Sequence, residues 1–126
     1  MARRHRGIVS LVFDDGYADV YERIPPLLAR FGFPAVFAVP VDSTAVHRAE
    51  GHPTTPLAEW KSLCHEHGHE LAAHGVSHRA LTALSDAEVT EELEKSQRET
   101  GASTLVYPGG AVDDRAYAVV DVHRAE

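Results

Sequence analysis

The feature that most limits what this chain can fold into is its alternation of short apolar runs with longer amphipathic ones. Ile8–Phe13 is apolar apart from Ser10 and rich in β-branched residues, which predicts a strand buried in a sheet. A helix is expected from about Ile24 to Phe31, with Pro25 and Pro26 in its first turn, where a missing amide is tolerated. Phe33–Val39 reads as a second strand, punctuated by Gly32, Pro34 and Pro40. Residues 41–55, rich in Ser, Thr, Gly and Pro, read as a loop, and Pro56–His67 as a helix that Gly68 stops. His69–Ala73 is a short third strand. Ser85 and Glu88 form a capping box that opens a helix running to about Thr100, which Gly101 ends. Ser103–Tyr107 is a fourth strand, and Val119–Val122 is open between helix and strand. This order requires parallel strands joined by crossover helices, an α/β fold.

In parallel sheets functional groups gather at the carboxyl ends of the strands. Asp14-Asp15 follows the first expected strand, His74 the third, and Pro108-Gly109-Gly110 the fourth, so three polar or backbone-exposing elements fall on one rim. Strand alternation turns the two adjacent carboxylates in different directions, which lets them do different work. The plain alternative is a turn signal, since Asp-Gly favours tight turns. His74 and His78, four residues apart, reach one metal ion if they share a helical turn or a loop folded like one. In a chain with nine histidines such spacing also arises by chance, and a solvated or core-satisfied imidazole is the ordinary alternative. The pair gains weight because it leaves a strand end in register with the two aspartates. One carboxylate and two imidazoles leave coordination positions open, the pattern of a catalytic site, and the second carboxylate suits a general base.

Phe13-Asp14-Asp15-Gly16, His74-Gly75-Val76-Ser77-His78 and Tyr107-Pro108-Gly109-Gly110, in that order, resemble the motifs of the NodB-homology polysaccharide deacetylases, carbohydrate esterase family 4. Gly68-His69-Glu70-Leu71, leading into His74, is similar as well, and the resemblance runs from about Ile8 to Arg115. It implies a partial or distorted (β/α) barrel and N-deacetylation of an acetamido sugar or glycan. It makes Asp14 the catalytic base and Asp15, His74 and His78 the ligands of one divalent metal. Zinc suits that set best, though cobalt, nickel, manganese and iron can use similar ligands. Tyr107, Pro108 and Gly109 would form the oxyanion and substrate-binding segment, with the Gly109 amide at the developing oxyanion. The chain departs from the pattern in three places. Gly75 stands where Ser or Thr is frequent, Val106 where an arginine is usual, and the chain stops at Glu126, before the later motifs. Asp113 and Asp114 lie too close to the third motif to supply the missing acid-tuning aspartate. Val119–His123 reads as an apolar strand ending in a histidine, which makes His123 the candidate general acid; a frayed terminal residue is the alternative.

Other features read as structural. Cys64, His65, His67 and His69 straddle a helix end and a strand, so their side chains are expected to diverge rather than form a second metal site. Trp60, spaced with Leu57, Leu63 and Cys64, reads as core before sugar platform. Glu88, Glu91, Glu92 and Glu94 read as a solvated helix face.

The 126 residues suit one domain, with 1–7 as a flexible arm. A net charge of −7 argues against nucleic acid, because phosphate binding needs clustered Lys and Arg, and the only basic run is Arg3-Arg4-His5-Arg6. The apolar run behind it is too short for a signal peptide, and none is long enough to span a bilayer. The single cysteine excludes an internal disulfide, so a cytoplasmic protein is expected. Four or five strands cannot close a barrel alone, which leads to the expectation of an open sheet or a homodimer. Two alternatives to sugar deacetylation stay open: hydrolysis of a small non-sugar amide, and a non-catalytic protein that keeps the metal.

Overall fold

A computed structural model describes the backbone of residues 7–124 and the side chains of residues 7–120. The arm expected over 1–7 lies outside the described residues except for Gly7. Three strands, β1 (Val12–Asp14), β2 (Val36–Val39) and β3 (Glu70–Ala73), form a parallel sheet in the order β1-β2-β3. Val12 pairs with Val36, which in turn pairs with Glu70, so the strands end together on one rim. The expected fourth strand shrinks to a single parallel bridge between Leu105 and Ala73, held by amide bonds from Ala73 to Thr104 and from Val106 to Ala73. The α/β fold with parallel strands is as the sequence predicts, and the sheet is open.

Crossover helices α1 (Ala18–Phe31) and α3 (Leu57–His67) pack on the sheet, with α2 (Thr44–Glu50) between β2 and α3 in sequence. Helix α1 begins six residues before the expected start, which puts Pro25 and Pro26 in its interior. Val20, Tyr21, Ile24 and Leu28 recur on one face and join the core around Phe37, Val39, Trp60 and Leu63. That burial outweighs the two amide hydrogen bonds the prolines cannot make. Residues 44–50, expected as loop, form α2 because Val46 is buried and Asp42 accepts bonds from the Thr44 amide and hydroxyl at the helix start.

Helix α4 (Asp86–Thr100) opens with the expected capping box: Ser85 accepts from the Glu88 amide at 3.2 Å and donates its own amide to the Glu88 carboxylate at 2.8 Å. Helix α5 (Asp114–Arg124) replaces the terminal strand that would have presented His123. Ala116 is fully buried in a second cluster with Leu81, Leu84, Val89 and Leu93, with Val119 and Val120 packed against it. An apolar spacing of three and four residues serves a helix there. Trp60 is core, with the Phe37 ring tilted against it at 4.9 Å and the Tyr21 ring edge-on at 5.0 Å. Among the described residues no helix is long and apolar enough to cross a membrane.

Candidate metal centre

Asp15 leaves β1 in a left-handed conformation (φ 74°), fixed by its amide donating to the Ala38 carbonyl at 3.0 Å. His74 follows β3 directly and is 1% exposed. Its Nδ1 lies 2.8 Å from the Val106 carbonyl oxygen. A carbonyl only accepts, so Nδ1 carries the proton and Nε2 keeps its lone pair for a metal. That Nε2 is 3.0 Å from Asp15 Oδ1, and His78 Nε2 is 2.8 Å from the same oxygen. One ligand atom from each of the three residues falls within 4.8 Å of the others.

Two imidazole nitrogens facing one carboxylate oxygen leave room for a cation as their common partner. His78 Nε2 is buried and, despite its closeness to Asp15, makes no hydrogen bond of acceptable geometry. An orphaned nitrogen beside a carboxylate and a correctly protonated second imidazole fits a divalent metal, and two His with one Asp suit zinc. Tyr17 lies behind the carboxylate, its hydroxyl 3.0 Å from Asp15 Oδ2 and 2.5 Å from Glu50 Oε2. Those contacts, the Glu50 hydrogen bond first, then burial and Asp15, raise the phenol pKa and keep it protonated.

Glu92, assigned to a solvated face from sequence, is instead 5% exposed and points at the loop between the histidines. Its Oε2 accepts from the Val76 amide at 2.6 Å and the Ser77 amide at 3.1 Å, and Oε1 accepts from Ser77 Oγ at 2.6 Å. Burial pushes this carboxyl up, but the bonds from Ser77, Val76 and Arg79 prevail and hold it below the ordinary carboxylate range. Glu88, Glu91 and Glu94 are exposed as expected.

Asp14 sits exposed at the carboxyl end of β1, next to Asp15. The third motif reaches the centre through the Val106 carbonyl and through Pro108, which is buried beside Gly75. Tyr107 packs against the α4–α5 cluster, and Gly109 lies on the exposed side of a short 3-10 turn with φ 65°. His123 falls on α5, beyond the described side chains. Cys64, His65, His67 and His69 form no metal-capable group among the described residues; Cys64 is buried, with its thiol pushed up to about 11 by that burial. His69 Nδ1 accepts from the Ala35 amide at 3.2 Å, and burial first, then His67, lowers its pKa.

The sequence model of the polysaccharide deacetylase family matches residues 2–124, and the chain belongs to that family. YxkH of Bacillus subtilis (strain 168), provisionally named a polysaccharide deacetylase, is 26% identical over 90 residues, 71% of this chain and 30% of that protein. The Streptococcus pyogenes deacetylase PplD, solved in complex with acetate, superposes with a TM-score of 0.75 at 22% identity, over 94% of this chain and 54% of that one. A carbohydrate esterase family 4 pseudoenzyme from Bacillus anthracis gives 0.71 at 18% identity, over 95% of this chain and 42% of that one. These structural likenesses concern the fold. The chain spans about a third to a half of the length of these relatives.

Proposed function

We propose that this chain binds one divalent metal ion, zinc by preference, through Asp15, His74 and His78, and hydrolyses the N-acetyl group of an acetamido sugar or glycan. One observation carries the reading: three ligand atoms from two strand ends converge within 4.8 Å, and the buried imidazole among them already has its other nitrogen committed to a carbonyl. When bound, the metal supplies a Lewis acid that polarises the amide carbonyl and acidifies water. Asp14, free of the ligand cluster, accepts the proton of the attacking water. The Gly109 amide donates to the oxygen that gains charge. The departing amine needs one proton, and Asp14 then holds one to return. His123 is the other candidate acid, although helix α5 removes the strand argument that pointed to it.

The first experiment is metal analysis by mass spectrometry on the purified, zinc-reconstituted chain and its His74→Ala and His78→Ala variants. About one zinc per chain, lost in both variants, is expected, followed by acetate release from N-acetylglucosamine oligomers in preference to small amides. Wild-type protein that takes up no zinc would refute the metal reading.

A second reading is a metal-binding protein without turnover. Its support is the likeness to the Bacillus anthracis pseudoenzyme and the helix where a terminal strand was expected. It predicts full zinc occupancy with no acetate released from any acetamide.

A further inference from the structure

We infer that Glu92 is a positioning residue for the metal centre: its two carboxylate oxygens clamp residues 76 and 77 and so set the separation and direction of His74 and His78. The inference rests on the metal reading above. Between the two histidines lie only three residues, and the first, Gly75, has φ 74°, while His78 itself has φ 59°. A segment with left-handed residues at both ends does not hold its shape through helical bonding, so something outside it must. Glu92 reaches in from α4 with three hydrogen bonds to two consecutive residues.

Gly75 eases that approach. A Cβ at position 75 would lie 3.0 Å from Glu92 Oε2 and 3.3 Å from Pro108 Cγ. A side chain at 75 would therefore crowd the carboxylate that holds the amides of 76 and 77, and Glu92 would have to give by a few tenths of an ångström. Among the described residues the clamp and the departure at Gly75 are two parts of one arrangement.

The hydrogen-bond pattern separates reach from charge. Oε2 takes both backbone amides, which can only donate; Oε1 takes a serine hydroxyl, which can donate or accept. A glutamine can place its oxygen on the amides and its nitrogen on Ser77 Oγ, so it keeps all three bonds without the charge. Arg79 loses a partner in that exchange, but at 3.5 Å and half exposed it holds little. An aspartate keeps the charge and falls one methylene short.

The test is zinc affinity, measured by chelator competition on wild type, Glu92→Gln and Glu92→Asp, each checked for its fold by circular dichroism. Glu92→Gln is expected within about threefold of wild type, and Glu92→Asp at least about tenfold weaker, the usual loss for residues that support metal ligands. Equal affinity in all three proteins would overturn the inference, as would loss in Glu92→Gln to the level of Glu92→Asp. If Glu92→Asp does not fold, Ser77→Ala replaces it; removing one of the three bonds should weaken zinc measurably, and unchanged affinity would again overturn the clamp. Failure of wild type to bind zinc would instead sink the metal reading, so the two failures are distinct.

Discussion

Asp15 and His78 are the two residues other than glycine with positive φ among those described, and both belong to the proposed ligand set. A left-handed L-residue costs about 1–2 kcal/mol, which persists only where the surroundings fix it. At position 78 the expectation is that His78→Gly is more stable than His78→Ala by about 1 kcal/mol, since glycine relieves the backbone and both variants lose the imidazole. Urea unfolding of the metal-free proteins decides it; an alanine variant as stable as the glycine one would mean that residue 78 is not left-handed in solution. Asp14 has a separate test. Asp14→Asn should leave zinc affinity within about twofold while acetate release falls by about 10²–10⁴, the usual worth of a positioned general base. Full turnover would remove Asp14 from the role. At this scale the convergence of Asp15, His74 and His78 was legible because metal chemistry restricts side-chain type and spacing. The Val106 carbonyl was not legible, because every residue has one. Nor was Glu92, because a helix with Glu at 88, 91, 92 and 94 does not reveal which carboxylate turns inward.

The elements divide in the same way. The capping box of α4, the glycine stops after α3 and α4, and the three parallel strands follow from local rules of caps and apolar runs. The early start of α1, the unforeseen α2 and the helical α5 are all cases where tertiary burial decided, through Val20 and Tyr21, Val46, and Ala116. Helix α4 carries a pH dependence of its own. Its Glu92 has a folded pKa below the unfolded value of about 4.3, so the stability it contributes is present above that value and lost as pH falls through the folded pKa. Metal-free wild type should therefore lose thermal stability on going from pH 5 to pH 3 more steeply than Glu92→Gln, whose amide does not titrate. Parallel acid limbs for the two proteins, followed by circular dichroism, would show that Glu92 does not hold the loop as a carboxylate.

At the scale of the molecule the open sheet matters most. β1 has a neighbour on one side only among the described strands, and the chain entering it is apolar and bare: Ile8 is 94% exposed, Val9 84%, and Val12 is exposed as well. Phe31 and Phe33, stacked on each other at 5.9 Å, are exposed too. An apolar strand edge offers unpaired amides and carbonyls together with side chains that gain from burial, a combination that soluble proteins cover or blunt with charge. Here no Lys, Arg, Asp or Glu interrupts residues 7–13. We propose a second copy as the cover, because a twofold axis would set the same edge antiparallel to itself and satisfy both chains at once. Light scattering at tens of micromolar should then give about twice the chain mass, and Val9→Lys with Val12→Lys should return the chain to monomer, since the lysines remove apolar surface and bring like charges together along the paired edges. A monomer in the wild type would refute the dimer outright. A dimer that survives both lysines would move the interface away from β1, and with it the reason those apolar residues stand exposed.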